Sequence, residues 1–208
     1  MWGIFKADLP EIKKNSYICN MGAFNDFMTQ IDFNSLHECC MLYGTVVEYS
    51  RGEHFALENE VCRNIGFVRK GYFKFVGMDS AGEEHVTGFS FTNEVVSDYV
   101  RSFLYGLPSF CSIIAGSTAE VLQVPITLAR DYIKDRDPDF VTDTSSILLM
   151  TAYRRYLNLH TLSPLERYKI LLNEHPSMVR HMPIQEIASF LNISRRQFHR
   201  IRELANKD

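Results

Sequence analysis

The strongest limit on the fold comes from residues 41–125, where short β-prone runs alternate with turn residues. The runs occupy residues 44–49, 65–71, 72–76, 85–91 and 119–125. Glycine-containing segments separate them, including Arg51-Gly52-Glu53 and residues 79–83. A series of short strands at this spacing predicts an all-β barrel or sandwich.

Helical patterns flank the β-prone region on both sides. Before it, Phe24, Phe27, Met28 and Ile31 fall on one helical face. After it, helix is predicted from Leu128 onward. The two flanks therefore predict helices around a β core.

Residues 140–161 are the longest helical candidate. Ile147, Met150, Arg154 and Leu157 recur there at three- and four-residue steps, and Leu148 and Leu149 widen the apolar stripe. A helix this apolar is either buried in a core or paired with a second copy, and the periodicity does not choose between the two. Next, Ser163-Pro164 with Glu166 predicts the start of another helix that ends before Pro176.

Residues 183–202 predict two short helices joined by a tight turn. Ile187, Ala188 and Leu191 share one face of the first helix. Asn192 stands where the chain must turn and tolerates a left-handed backbone. Ser194 is then placed to cap a second helix. The inner face of that helix is Phe198 and Ile201.

The outer face of the second helix is rich in arginine. It carries Arg195, Arg196, Gln197, His199, Arg200 and Arg202. A helix of this kind suits the major groove of DNA. An ordinary helical hairpin with a solvated cationic surface is the alternative. We favour DNA binding because four features occur together: the small residue Ala188 between the helices, the turn residue Asn192, the cap Ser194 and the basic outer face.

The charge distribution agrees with a nucleic-acid partner at the C-terminal end. Residues 162–208 carry eight Lys/Arg and five Asp/Glu residues, whereas residues 1–161 carry 14 and 20. An acidic body with a basic end is typical of a protein whose end alone touches phosphates.

Composition excludes several other classes. The chain has 208 residues, enough for one large and one small domain, and 46% of them are hydrophobic. No apolar stretch of about eighteen residues predicts a membrane span, and no signal peptide is evident near Met1. The cytoplasm is therefore the expected location, with no membrane partner. The five cysteines, an odd count without a CxxC pair, are expected to be reduced and structural, and Cys39-Cys40 is the alternative redox-active pair.

The order of a β barrel, a long helix and a basic helix pair resembles the Crp/Fnr family of transcription regulators. The segments that carry the resemblance are Arg51-Gly52-Glu53, residues 67–71, residues 79–83 and residues 193–201. The resemblance implies an α+β fold. It places a cyclic-nucleotide-binding-like β-barrel or jelly-roll domain in residues 1–137 and a dimerisation helix in residues 138–161. An all-α helix-turn-helix domain would occupy residues 162–208.

The resemblance also implies the DNA contacts. Residues matching Arg195 and Arg200 read guanine or hold phosphate in the family, and the residue between them is often a glutamate that accepts from cytosine. Arg196 stands there and cannot accept a hydrogen bond, so an altered half-site is expected. The full expected DNA-binding set is Gln185, Ser194, Arg195, Arg196, Gln197, His199, Arg200 and Arg202.

The expected effector pocket departs from the family pattern. Glu94 matches the ribose-binding glutamate, but Asn93 replaces a glycine, and no arginine lies near Ser109. A buried phosphate without its cation costs several kcal/mol, so cyclic AMP is not expected to bind in the family's way. Candidate pocket residues are Phe91, Asn93, Glu94, Ser109 and Phe110. Phe89, Val95 and Tyr99 are further lining candidates, which either surround an unknown effector or fill the barrel; filling is slightly favoured.

The expected assembly is a homodimer on a near-palindromic DNA site, with RNA polymerase as a further partner and no cofactor or metal. The sequence runs six residues past Arg202, so recognition without the family's β wing is expected. Phosphate contacts are then expected from Gln185, Arg180, His181 or Arg202.

Two other functions compete with this one. A metal-dependent enzyme of the cupin type would use a barrel, and His54 and Glu58 match part of such a ligand set. His37 and His85 are weaker candidates for metal or haem. A ligand-binding or structural adaptor is the third hypothesis.

Overall fold

The computed structural model describes residues 26–174, 176, 179 and 182–205. Within the described residues, the segment of the predicted N-terminal helix forms a 3-10 turn, Asp26–Gln30, and helix α1, Asn34–Tyr43, follows it. Phe24 and Cys19 lie outside the described residues.

Eight antiparallel strands follow in the part of the chain that the structure describes. The five predicted runs correspond to the first, third, fourth, fifth and eighth of them, and the three short remaining strands were not predicted. They are β1 Thr45–Tyr49, β2 His54–Ala56, β3 Asn64–Lys70, β4 Tyr72–Met78, β5 Glu84–Phe91, β6 Val95–Val96, β7 Ser112–Ala115 and β8 Ala119–Pro125. They form one sheet in the order β1-β8-β3-β6 and another in the order β2-β7-β4-β5. The turn between β4 and β5 closes because the carboxylate of Asp79 accepts hydrogen bonds from the amides of Ala81 and Glu83.

The described residues after β8 are mainly helical. The helices are α2 Ile126–Arg136, α3 Phe140–Thr161, α4 Pro164–Glu174, α5 Ile184–Phe190 and α6 Arg195–Ala205. The predicted cap of α4 is present, since the amide of Ser163 donates to Glu166 and the amide of Glu166 donates back to the Ser163 hydroxyl. No helix within the described ranges combines the length and apolar character needed to cross a bilayer.

Aromatic rings pack between the two sheets. The rings of Tyr49, Phe55 and Phe73 meet one another at centroid distances of 5.4–5.7 Å. Phe103 joins the same core and is stacked on Tyr99 at 5.1 Å. These rings occupy the interior of the barrel. The sequence had left two alternatives for this region, a bound effector or packed side chains.

The sheet β2-β7-β4-β5 carries a second core on its opposite face. Neighbouring residues in its strands contribute to different cores, because side chains alternate along a strand. Phe73 and Ile113 belong to the first core, whereas Tyr72 and Ile114 contact the second. The second core also contains the buried residues of α4, α5 and α6, so the C-terminal helices pack on the outside of this sheet.

Candidate nucleic-acid interface

The C-terminal helix pair, α5 and α6, has the geometry that the sequence predicted. Ile187, Ala188 and Leu191 are buried. Asn192 adopts a left-handed backbone with φ of 54°, which lets α5 end and the chain reverse. The amide of Ile193 donates to the carbonyl of Ala188 at 3.0 Å, which closes the turn.

A reciprocal cap fixes the start of α6. The amide of Gln197 donates to the Ser194 hydroxyl at 3.2 Å, and the Gln197 side-chain oxygen accepts from the Ser194 amide at 2.9 Å. The Ser194 cap is therefore confirmed. The reciprocal hydrogen bond from the Ser194 amide to Gln197 was not predicted, although the Ser-x-x-Gln spacing signals a capping box. Because the Gln197 oxygen faces the Ser194 amide, the amide nitrogen of Gln197 is the group placed to donate to a base edge.

The inner face of α6 anchors it to α4. Phe198 is 1% exposed, and its ring meets the ring of Tyr168 edge-to-face at 5.3 Å. Ile201 is also buried. These contacts leave the opposite face of α6 open to solvent.

The outer face carries the residues that the sequence assigned to DNA. All eight are exposed: Gln185, Ser194, Arg195, Arg196, Gln197, His199, Arg200 and Arg202. Seven lie on or immediately before α6, and Gln185 lies in the first turn of α5. The expected phosphate contacts Arg180 and His181 lie outside the described residues.

A buried carboxylate connects the helix pair to the barrel. Glu186 in α5 is 4% exposed, and the hydroxyl of Tyr72 in β4 donates to it at 3.0 Å. Burial raises the pKa of Tyr72, and the Glu186 charge and their hydrogen bond raise it further, while Arg51 opposes them. This contact was not predicted. The only sequence signal for a contact on this side of α5 was Phe190, an apolar residue that lies off the face shared by Ile187, Ala188 and Leu191.

The five expected effector-pocket residues do not share one cavity. Phe91 is stacked on Tyr72 at 5.7 Å, on the face that carries the second core. Phe110 is 69% exposed, so its expected place in the barrel lining is wrong. Phe89 also packs outside the barrel, against Phe190, because it shares the face of Phe91 two residues further along β5. The bulge in β5 then brings Val86 onto this face as well. Of the lining candidates, Val95 and Tyr99 pack against the first core.

The remaining candidate pocket residues, Asn93, Glu94 and Ser109, shape or hydrogen-bond the backbone of the barrel. Asn93 adopts a left-handed conformation with φ of 71°, a backbone that glycine and asparagine tolerate best. The carboxylate of the buried Glu94 accepts from the Phe91 amide at 2.9 Å. The Ser109 hydroxyl donates to the carbonyl of Cys111 at 2.7 Å.

The side chain of Arg101 contacts residues of its own loop. Its Nε donates to the carbonyl of Pro108 at 2.8 Å, and its guanidinium lies 4.2 Å from the centre of the Phe110 ring. The side chain is thus engaged by its own loop.

Metal-binding side chains are scattered. His54 and Glu58 line one open cleft on the sheet surface together with Glu84. Even so, the described part of the chain holds no group of three or more His, Cys, Asp or Glu side chains arranged to bind a metal ion.

Comparison with known proteins places the fold. No protein-family model matches the chain, and no curated protein sequence matches it. Solved structures do match. FixK2 from Bradyrhizobium japonicum superposes with a TM-score of 0.60 and 17% identity over 79% of this chain and 85% of that one. The c-di-GMP-responsive global regulator CLP from Xanthomonas campestris gives 0.62 and 16% over 85% and 93%.

A third structure extends the likeness to another organism. The catabolite activator protein of Thermus thermophilus matches with a TM-score of 0.51 and 16% identity over 83% of both chains. At such identities the likeness concerns the fold. The chain therefore has the Crp/Fnr-like fold, a cyclic-nucleotide-binding-like β domain followed by helices.

Proposed function

We propose that this protein is a sequence-specific DNA-binding transcription regulator. The observation that carries the proposal is the division of α6 into two faces. Phe198 and Ile201 are buried against the rest of the chain, while Arg195, Arg196 and Arg200 are exposed. A convex, cationic helix anchored from behind fits the major groove, where arginine reads guanine through two hydrogen bonds.

The second part of the proposal is a homodimer formed through α3. Only Phe140 and Thr144 of this helix are buried. Leu149, Tyr153, Tyr156 and Leu157 are exposed and fall on one helical face, since they are spaced by four, three and one residues. This face, the α3 stripe, lies opposite Phe140 and Thr144. A second copy of α3 would cover it, as in a coiled coil.

The proposed division of labour follows from this arrangement. Residues 1–137 act as a sensor for an unknown effector or as a ligand-independent scaffold, residues 138–161 pair the two copies, and residues 162–208 bind DNA. Two-fold symmetry would place two α6 helices about 34 Å apart on one side of a near-palindromic site. RNA polymerase is the proposed protein partner on the DNA.

We infer no catalytic role for the chain. The cupin-type alternative needs several metal ligands around one point. Glu84 lines the same cleft as His54 and Glu58, but no three such side chains among the described residues are arranged to bind a metal ion. A metal analysis of the purified protein, with one tightly bound ion per chain as the contrary outcome, tests this inference.

The proposal is tested by selecting preferred sequences from random DNA with the full-length protein. We expect enrichment of a near-palindrome, with an affinity that falls steeply as salt rises because phosphate contacts release counterions. Recovery of unrelated sequences with salt-independent affinity would contradict the proposal.

A substitution then tests the recognition helix. Arg200→Ala should relax sequence preference at one position of each half-site, because a bidentate arginine–guanine contact contributes about 1–3 kcal/mol of discrimination. Arg69→Ala is the matched control, since it removes the same charge from the barrel surface, where Arg69 pairs with Glu120 at 3.4 Å. Unchanged preference in Arg200→Ala would remove Arg200 from the base-reading set.

A further inference from the structure

We infer that Tyr72 is a positioning residue that sets the direction in which the basic face of α6 points. It does so through Glu186, by holding α5 in one orientation on the outer face of the sheet β2-β7-β4-β5. This inference rests on the proposed function, because it assigns a consequence for DNA binding to a contact between the barrel and the helix pair.

The ring of Tyr72 is held in a fixed place. A Cβ atom added to Gly116 would overlap this ring, so glycine at that position leaves the slot that the ring occupies. Phe91 stacks on the ring at 5.7 Å, and Phe89 meets it edge-on at 6.3 Å. A ring confined on these sides presents its hydroxyl in one direction, toward Glu186.

The contact matters because Glu186 is buried. A carboxylate that is 4% exposed is stable only if donors satisfy it. The Tyr72 hydroxyl supplies one such donor at 3.0 Å. Rotation or translation of α5 along the sheet would separate this pair and leave the carboxylate buried with one donor fewer. The hydrogen bond therefore favours a single placement of α5.

Two further contacts lie on the same face of α5. The amide of Val86 in β5 donates to the hydroxyl of Ser189 at 2.8 Å. The guanidinium of Arg155 lies over the ring of Phe190 at 4.4 Å. Because residues 186, 189 and 190 are three and four positions apart, they face the sheet together. The three contacts fix both the rotation of α5 and its position along the sheet.

The contact at Phe190 also brings in α3. Arg155, a residue of α3, donates from Nη2 to the carbonyl of Thr87 at 2.9 Å. Thr87 is the extra residue of the β5 bulge, since Phe75 pairs with Gly88 and Val76 pairs with Val86. A bulged residue has no partner in the ladder, so its carbonyl is free to accept from outside the sheet. Barrel, long helix and helix pair therefore meet around Phe190.

A fixed α5 matters for a dimer that reads two half-sites. The distance and angle between two α6 helices depend on how each helix pair sits on its own barrel. A rigid placement makes the dimer discriminate between half-site spacings, whereas a loose one lets it adapt to several. Tyr72 is then expected to control spacing discrimination rather than the contacts to individual bases.

The experiment compares the wild-type protein with Tyr72→Phe, which keeps the ring and removes the hydroxyl. Tyr105→Phe is the matched control, because Tyr105 is 69% exposed. Two readouts are taken: amide hydrogen exchange of residues 184–190 and of Val86, and affinity for DNA sites that differ by one base pair in half-site spacing. A single half-site measures base contacts alone.

We expect Tyr72→Phe to speed exchange in residues 184–190 and at Val86 by roughly tenfold, as for the loss of one buried hydrogen bond. Discrimination between adjacent spacings should fall several-fold, while half-site affinity and the Tyr105→Phe control stay as in the wild type. A merely structural role would lower thermal stability without changing spacing discrimination.

Unchanged exchange and unchanged spacing discrimination in Tyr72→Phe would overturn the inference. If the wild-type protein binds no DNA, the proposed function fails, and the exchange readout alone decides whether Tyr72 positions α5. If Tyr72→Phe does not fold, Ser189→Ala replaces it, because it removes one hydroxyl from the same face. Faster exchange at Val86 with weaker spacing discrimination in Ser189→Ala supports the inference, and wild-type values overturn it.

Discussion

The hydroxyl of Tyr72 donates a 3.0 Å hydrogen bond to the carboxylate of Glu186, which lies 114 residues further along the chain. One partner belongs to the first half of the β domain and the other to the C-terminal helix pair. The two parts are therefore joined by a buried polar contact as well as by an apolar core. Stability and DNA recognition are expected to respond together to changes at this place.

Gly116→Ala should destabilise the protein, because the new methyl group would overlap the Tyr72 ring. Overpacking of this kind costs about 1–3 kcal/mol in the free energy of unfolding. Gly77→Ala is the control: a Cβ atom there would meet nothing within 4 Å. Denaturant unfolding of both variants measures the difference, and equal stabilities would show that the ring moves freely out of the slot.

Phe198→Ala should remove most of the anchor of α6. The side chain is 1% exposed, and truncation of a buried phenylalanine costs about 3–5 kcal/mol. His199→Ala, at the adjacent exposed position, should change stability by less than about 0.5 kcal/mol. Chemical unfolding followed by circular dichroism measures both. Similar losses in the two variants would contradict the two-faced description of α6.

Replacing Leu149 and Tyr153 together by serine should weaken the proposed dimer. Leu149 is 70% exposed in the single chain, so the fold should tolerate the change. Loss of apolar burial at two positions on each copy should raise the dimer dissociation constant at least roughly 100-fold. Sedimentation equilibrium measures this constant, with Thr151→Ser as the control on the opposite face of α3. A wild-type monomer at micromolar concentration would refute pairing through the α3 stripe.

Cyclic AMP should show no micromolar binding in calorimetry. The guanidinium of Arg101 is engaged with the Pro108 carbonyl and the Phe110 ring, and Ser109 hydrogen-bonds to Cys111. A cyclic phosphate near Ser109 would therefore lack a cation, at a cost of several kcal/mol. Micromolar binding by the wild type that disappears in Arg101→Ala would show that Arg101 moves to hold the phosphate.

Local patterns were predicted well from the sequence. The five longer strands, the turn at Asn192 and the caps at Ser163 and Ser194 depend on residues close together in the chain, so short-range spacing predicts them. The short strands β2, β6 and β7 carry too little pattern to be recognised in this way. The exposure of Arg195, Arg196, Arg200 and Arg202 followed from the helical period for the same reason.

The relation between distant segments could not be read in the same way. Phe89 and Phe91 looked like barrel lining, because an alternating strand gives no sign of which face meets which core. The β5 bulge changes the alternation between Val86 and Phe89, and no residue there signals it. Glu186 gave no warning of its burial, since its donor, Tyr72, belongs to another part of the chain.

The shared second core limits how this protein can be rebuilt. Its C-terminal helices do not form an interchangeable module, because strands supply one side of their packing. A chimera carrying residues 162–208 on a foreign barrel would leave Glu186 without Tyr72 and Phe190 without Phe89. New DNA specificity is therefore better engineered by changing the exposed side chains of α6 than by exchanging the domain.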